Sequence, residues 1–321
     1  MHFTIHLNSL LKKTLLIHLI LISLFASTCL AQIKKADKIP VESNAIRFFF
    51  VGDWGRNGEH NQQEVADQMG KTGETFDPKF IISAGDNFYC CGVASTEDPQ
   101  WKYSFEDVYR AHSLNIPWFP ILGNHDYLGN PQAQIDYSQI SRRWRMPARY
   151  YTVNMKDVIF IFLDTNPFIK KHYKKQGEYA DVARQDTLRQ LQWLDSTLVN
   201  SKEKWKIVVG HHPVYSTGSK HGSTPELIQT LKPVLEKHHV QLYLAGHDHD
   251  LQFQKPVNSS VNYLISGAGS EVRPNTPDPA MTKYAAAVAG FMAFSILDNK
   301  LIVYFIDKKG NVIYQTEILQ N

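Results

Sequence analysis

Five short apolar segments of this chain are each followed directly by a glycine. The residue after each of these glycines is of a type able to bind a metal ion. The segments are 46–51, 80–84, 117–122, 205–209 and 240–245. Each has the length of a buried β-strand, and glycine allows the chain to turn sharply after it. Ligands of open α/β sheets bind beyond the carboxyl ends of the strands. We therefore expect the five turns to meet at one site.

The side chains in these turns are carboxylates, an amide and imidazoles: Asp53, Asp86, Asn124, His211, His247 and His249. They suffice for two metal ions if one carboxylate bridges both. Cysteine is absent from the turns, which argues against a structural zinc–thiolate site. Two ions about 3.5–4 Å apart are suited to the hydrolysis of phosphate esters. One Gly-Asp turn alone would be an ordinary turn, but five turns in which glycine precedes a metal-binding residue type point to a shared site.

The pattern between these turns predicts an α/β fold with parallel strands. A further strand is expected at 158–163, and helices at 61–71, 184–200 and 225–238. After residue 260 the pattern changes to strands with short turns, at 261–266, 291–297, 301–306 and 312–316, which favours antiparallel pairing. We find no repeat. The prediction is a linker at 32–44 and a single catalytic domain at 45–321.

The first 31 residues have the pattern of a secretory signal peptide. Lys12 and Lys13 precede an apolar run at 15–25, and small residues lead to Ala31. The alternative is an N-terminal membrane anchor, but the run is shorter than the roughly 20 residues of a span. Lipid attachment at Cys29 is a further alternative. We expect an exported protein, periplasmic or secreted, with no membrane span after cleavage.

Composition narrows the function classes. The formal net charge is +3 over 321 residues, which gives no support to a nucleic-acid-binding face. Once the signal peptide is removed, two cysteines remain, Cys90 and Cys91. Adjacent cysteines rarely bridge, so a disulfide scaffold is not expected. The two are expected to be reduced thiols at the pocket edge, buried apolar residues or a redox-active pair.

The five motifs resemble those of the calcineurin-like metallophosphoesterases, and the resemblance extends from Arg47 to the C-terminus. Tyr89, three residues after Asp86, resembles the ligand tyrosine of the purple acid phosphatases. Asp53-Trp54-Gly55 and the compact size are similar to the small, tartrate-resistant type. This resemblance implies an α/β fold in which a β-sandwich of two mixed sheets is flanked by helices, in α/β/β/α layers.

The resemblance also implies a role for each ligand. Three residues would bind Fe(III) alone: Asp53, Tyr89 and His249. Asp86 would bridge both ions. Three would hold the second, divalent ion, which is Fe, Zn or Mn: Asn124, His211 and His247. The implied activity is an acid phosphatase that hydrolyses phosphate monoesters with a metal-activated hydroxide.

Two further histidines would contact the substrate phosphate or the leaving group, namely His125 and His221. At acidic pH the resemblance implies that they are protonated. His125 could instead only order its loop, and His221 could be an ordinary surface residue. We expect His212 to line the pocket without binding metal. Lysines in 169–183 would attract phosphate or form a solvated surface.

Other functions of the same site stay open. One is a phosphodiesterase, nucleotidase or pyrophosphatase, and another is a non-hydrolytic metal-binding redox protein. The expected partners are small phosphorylated substrates, and the expected oligomeric state is a monomer.

Overall fold

The computed structural model describes residues 34–174 and 177–320. The chain from Lys35 onward forms one compact unit. The predicted signal peptide lies outside the described residues, and the boundaries of leader, linker and domain stay predictions. Within the described residues, no helix combines the length and apolarity needed to cross a membrane.

Strands and helices alternate in the first two thirds of the described chain. The strands are β1 (Lys34–Lys35), β2 (Ile46–Val51), β3 (Phe80–Ser83), β4 (Trp118–Pro120), β5 (Tyr151–Met155), β6 (Val158–Phe162), β7 (Trp205–Val209), β8 (Leu242–Ala245), β9 (Leu251–Gln254), β10 (Asn262–Ser266), β11 (Thr282–Ala286), β12 (Gly290–Ile296), β13 (Lys300–Asp307) and β14 (Asn311–Leu319). The α-helices are α1 (Gln62–Phe76), α2 (Pro131–Asp136), α3 (Lys170–Lys174), α4 (Thr187–Asn200), α5 (Pro225–Thr230) and α6 (Lys232–Lys237).

The strands form two mixed sheets. The first has the order β1-β14-β13-β12-β2-β3-β4, in which β2, β3 and β4 are parallel and β12, β13 and β14 pair antiparallel. The second has the order β11-β9-β10-β8-β7-β6-β5, in which the four strands from β10 to β6 are parallel. The antiparallel strands β9, β11 and β5 lie at its two sides.

The two sheets pack on each other through aromatic side chains. Phe48 of β2 stacks on Phe80 and Phe294 of its own sheet, with ring centroids 5.0 and 4.6 Å apart. Its edge meets Phe160 of the second sheet at 5.4 Å. All four rings are buried. This contact between inward faces is the packing of a β-sandwich.

Helices cover the outer faces. On the first sheet, Phe76 of α1 stacks on Phe49 with centroids 5.6 Å apart. On the second, α4, α5 and α6 bury leucines in a separate apolar cluster: Leu194, Leu198, Leu227 and Leu235. The predicted sandwich of two mixed sheets flanked by helices is therefore confirmed.

The structure differs from the sequence prediction in several details. The helix expected at 225–238 is divided into α5 and α6, because Pro233 in the first turn of α6 has no N–H to donate within a continuous helix. Four strands were not predicted, namely β1, which lies in the expected linker, β5, β9 and β11, and neither were the short helices α2 and α3. In β9, the buried polar residues Gln252 and Gln254 masked the strand pattern, and they bond to each other at 2.6 Å.

Candidate metal centre

Three residues in the turns after β2, β3 and β8 have a left-handed backbone. The φ angles are 59° at Asp53, 49° at Asp86 and 70° at His247. Residues other than glycine pay about 1–2 kcal/mol for this conformation. Such strained positions concentrate at functional sites, where the surrounding structure holds them.

Two glycines allow backbone to lie directly against the carboxylates. A Cβ atom added to Gly123 would lie 2.1 Å from Asp86 Oδ1, and one added to Gly246 would lie 2.4 Å from Asp53 Oδ2. Both distances are far inside van der Waals contact. The glycines noted in the sequence are therefore required by the close approach of neighbouring turns.

The first group of donor atoms surrounds the Tyr89 hydroxyl. Tyr89 Oη lies 3.0 Å from Asp53 Oδ1, 2.9 Å from Asp86 Oδ2 and 3.1 Å from His249 Nε2. One phenolic hydrogen can be donated to only one of these three atoms. Four lone-pair-bearing atoms therefore converge, which is the arrangement of ligands around a cation.

The second group surrounds His211 Nε2. That atom lies 3.3 Å from Asn124 Oδ1, 3.1 Å from His247 Nδ1 and 3.5 Å from Asp86 Oδ1. His211 Nδ1 lies 2.8 Å from the Ala84 carbonyl, to which it donates its hydrogen. The lone pair of Nε2 is thus left to face the other donors, as in metal-bound histidines.

Asp86 belongs to both groups. Its Oδ2 contacts Tyr89 and its Oδ1 faces His211. The His125 backbone N–H also donates to Oδ1, at 2.8 Å. The structure therefore brings all seven sequence-predicted ligands together in two sets that share one carboxylate.

The electrostatics of these side chains fit bound cations. Burial, reinforced by the charge of Asp86, raises the pKa of Asp53 well above its usual value. Burial lowers the pKa of His211, of His247 and of His249, the last to about 2. Buried carboxylates beside neutral imidazoles are costly unless a positive charge lies among them. Mixed oxygen and nitrogen donors suit first-row metals such as Fe, Zn and Mn.

Comparison with known proteins agrees with this geometry. Residues 46–251 match the family model of the calcineurin-like phosphoesterases. Purple acid phosphatase 17 of Arabidopsis thaliana is 38% identical, over 86% of this chain and 85% of that protein. Tartrate-resistant acid phosphatase type 5 of Oryctolagus cuniculus is 34% identical, over 85% of this chain and 90% of that protein.

The chain belongs to the purple acid phosphatases, within the calcineurin-like phosphoesterase family. Membership implies a metal-dependent phosphatase with a dinuclear centre, and the two donor sets that share Asp86 fit such a centre.

A solved structure adds a relative of another kind. GAP50, described as the anchor in the inner membrane complex of Plasmodium, superposes with a TM-score of 0.74 at 28% identity. The match covers 86% of this chain and 89% of that one. This chain is therefore also similar to a protein named for anchoring.

His125 lies at the edge of the first donor group. Its Nδ1 donates to the Cys90 carbonyl over 2.5 Å, which turns Nε2 toward Asp86 Oδ2, 4.0 Å away. The ring lies 4.5 Å from that of Tyr89, and about a third of the side chain is exposed. The ring is thus at the open side of the site.

His221 lies over the second donor group, with its ring centroid 4.0 Å from that of His247. Partial desolvation and the charges of Lys171 and Arg273 lower its pKa to about 4, although the residue is still exposed to solvent. This shift opposes the protonation expected for His221 at acidic pH. A dianionic phosphate beside it would oppose the shift.

Two of the three alternatives for the cysteines, reduced thiols and buried apolar residues, are wrong. Cys90 and Cys91 are joined by a disulfide bond, and both are exposed rather than buried. The chain forms a tight turn here, closed by the Gly92 N–H donating to the Phe88 carbonyl at 2.9 Å. This turn brings the neighbouring sulfur atoms together at the rim of the site.

No role was predicted for Asp126, which follows the predicted ligand Asn124 and His125 in the motif after the third of the five apolar segments. The buried carboxylate accepts N–H bonds from Gly123, Asn87 and Phe88 at 2.7–3.2 Å. Burial, with the charge of Asp86, raises its pKa to about 7. Asp126 thereby ties the turn after β3 to the turn after β4, and only its place in the motif could have hinted at this.

Asp248 was likewise missed, between two predicted ligands. Its Oδ2 accepts from Ser216 Oγ at 2.5 Å and from the Gly222 N–H at 3.1 Å. These bonds fasten the loop that carries His221 to the turn that carries His247. Asp248 is therefore a positioning residue for the open side of the site.

Proposed function

We propose that this protein is an exported acid phosphatase that hydrolyses phosphate monoesters at a dinuclear Fe(III)–M(II) centre, with Fe, Zn or Mn as the divalent ion. The observation that carries the proposal is the convergence of seven side chains in two sets of donor atoms that share Asp86. Tyr89 in the first set favours Fe(III), because phenolate is a hard anionic donor.

The two ions would supply the positive charge that neutralises phosphoryl oxygens and makes a water molecule acidic. The protein's own side chains would bind the phosphate and transfer the proton. His125 and His221 are the candidate catalytic residues, because both rings stand at the open side of the donor sets. His125 Nε2 would hydrogen-bond the phosphate, and His221 would transfer a proton to the leaving oxygen.

The first test is the pH dependence of phenyl phosphate hydrolysis by the purified, metal-loaded protein. We expect the rate to peak below pH 7, because a trivalent ion acidifies water more strongly than a divalent one. Equal or greater activity at pH 9 would contradict the Fe(III) assignment. A faster rate on a diester than on the monoester would favour the phosphodiesterase alternative.

The second test is the absorption spectrum combined with elemental analysis. We expect iron and a visible band, and we expect the band to vanish in Tyr89→Phe, because the variant has no phenolate oxygen. Tyr151→Phe is the matched control, since the Tyr151 hydroxyl bonds to the Pro120 carbonyl at 2.7 Å, outside both donor sets. A band unchanged in Tyr89→Phe would refute Tyr89 as the iron ligand.

The alternative is a non-hydrolytic role, since GAP50 is described as an anchor. This alternative predicts metal binding without turnover. The complete donor set favours hydrolysis here. We further propose that residues 1–31 are removed on export and that the mature domain is a monomer. Mass spectrometry of secreted protein would show a chain that begins at Gln32, and sedimentation would give the mass of one chain.

A further inference from the structure

The guanidinium group of Arg56 lies over the ring of Tyr89, and its central carbon is 3.8 Å from the ring centroid. Tyr89 is the tyrosine of the first donor set, and its ring is buried. A cation this close to an aromatic face is attracted by the electrons of the ring. No role was predicted for Arg56, although it comes three residues after the predicted ligand Asp53.

The Arg56 side chain is fastened at both of its ends. Its Nη2 donates to Glu271 Oε2 at 2.7 Å, and its Nε donates to Ser270 Oγ at 3.2 Å. At the backbone, the Arg56 N–H donates to Gln62 Oε1 at 2.9 Å. Only 18% of the side chain is exposed. Because these bonds leave the guanidinium few other positions, its stack on Tyr89 is a defined contact.

The residues that fasten Arg56 lie against the other two members of the first donor set. Ser270 is buried, and its hydroxyl donates to the Asp53 carbonyl at 2.6 Å. Glu271 Oε2 lies 3.8 Å from His249 Nδ1. Residues that surround metal ligands orient them and tune the metal. Arg56 and its two partners are placed to do this for the first donor set.

Glu271 is shared between two arginines. Arg273 Nη2 lies 3.2 Å from Oε2, the atom that Arg56 also contacts, and Arg273 Nε donates to Oε1 at 3.2 Å. Two guanidinium groups facing one carboxylate leave a positive charge unneutralised. The ion pair with Glu271 therefore holds Arg56 in place, while a net positive charge remains beside the ring of Tyr89.

We propose that Arg56 is a positioning residue for Tyr89, which keeps the phenol oxygen directed at the first donor set and stabilises the electrons of the ring. This inference rests on the proposed function, in which Tyr89 binds Fe(III). The visible band expected there arises when light moves an electron from the phenolate to the iron. A positive charge against the ring opposes this transfer, because it attracts the ring electrons. Arg56 should therefore raise the energy of the band.

The absorption spectrum of the purified, metal-loaded protein tests this role without requiring turnover. We expect Arg56→Met to move the band to longer wavelength, by about 10–20 nm for a band in the middle of the visible range, which is the spectral equivalent of a partly buried cation–π contact. Arg56→Lys keeps a positive charge and should move the band by less than half of that amount. Both variants should keep the iron content of the wild type, because no metal ligand is changed.

Arg143→Met is the matched control. The Arg143 guanidinium lies 4.4 Å from the ring centroid of Phe105 and pairs with Glu106 at 2.5 Å, outside both donor sets. This variant should leave the band at its wild-type wavelength. An Arg56→Met protein that keeps both its iron and its band maximum would overturn the proposal. A lower iron content without a shift of the band would also overturn it, because Arg56 would then only support the fold.

A double-mutant cycle tests the contact itself in the presence of a chelator. Arg56→Met, Tyr89→Leu and the double variant are unfolded in denaturant. We expect the effects of the two single substitutions on the unfolding equilibrium constant to overlap by about two- to fivefold, the size of a cation–π contact. Effects that are simply additive would overturn the proposal. If the wild type binds iron but shows no visible band, Tyr89 fails as the iron ligand of the proposed function, whereas a coupling of this size would still support Arg56 as the residue that positions the ring.

Discussion

Replacing Asp53 by asparagine should change the stability of this protein in opposite directions with and without metal. The Asp53 carboxyl is fully buried beside Asp86, which raises its pKa well above the usual value. Folding at pH 7 therefore has to bury an unfavourable charge or take up a proton. Asparagine has nearly the same shape and also tolerates the left-handed backbone at this position.

The expected change in the free energy of unfolding has two contributions. Removing an uncompensated buried charge stabilises by up to about 3 kcal/mol. The asparagine oxygen keeps the His247 N–H bond of 2.9 Å, but the charge-assisted bond with the Tyr89 hydroxyl is replaced by a weaker neutral one, at a cost of about 1 kcal/mol. With a chelator present, Asp53→Asn should thus be about 2 kcal/mol more stable than the wild type at pH 7. The midpoint of thermal unfolding should rise by about 4 °C.

The pH dependence has a definite sign. A carboxyl whose pKa is raised by folding is protonated in both the folded and the unfolded state at low pH. In chelator, the stabilities of the wild type and of Asp53→Asn should therefore converge near pH 4. Their difference should grow as pH rises toward 7. With metal present the order should invert, because ligand binding at 100 times Kd adds about 2.7 kcal/mol to the wild type alone.

The assay is denaturant unfolding at pH 4, 5.5 and 7, with chelator and with metal. Asp157→Asn, an exposed carboxylate in the turn between β5 and β6, is the control and should shift neither curve. An Asp53→Asn protein that is less stable than the wild type in chelator at pH 7 would refute the claim that this carboxyl is costly to bury.

Three further substitutions test packing and positioning. Phe48→Ala should cost about 3–5 kcal/mol in denaturant unfolding, because the ring contacts both sheets; a cost below about 1 kcal/mol would contradict this. Trp54→Phe should cost about 1–2 kcal/mol, because its indole N–H donates to Ser83 Oγ at 2.8 Å, whereas an unchanged midpoint would count against that bond. Ser216→Ala should lower kcat several-fold at unchanged metal content, because it frees the loop that Asp248 fastens; loss of metal would indicate a wider rearrangement.

Much of the fold follows from local pattern. Strand β2 was predicted at its observed residues, 46–51, and β7 at 205–209, because short apolar runs ended by glycine have few other solutions. Strand β9 was missed because Gln252 and Gln254 give its sequence a polar pattern. In the structure both side chains are buried and bond to each other. The two-sheet architecture came from the family resemblance, because strand order depends on contacts between distant segments.

The sequence alone determined the chemical types of the site. Asp53, Tyr89 and His249 could be named as ligands because each belongs to a recognisable motif. Their distances could not be known, since the motifs lie some two hundred residues apart and meet only when the strand ends align.

Only the tertiary structure decided how the surrounding residues are used. It divides the two oxygens of Asp86 between the donor sets, and it bonds Cys90 to Cys91. It also places the His212 ring Nδ1 2.8 Å from Thr165 Oγ1. The physical reason is that a motif specifies which atoms are offered, whereas burial and the bonds to neighbouring loops determine where those atoms point.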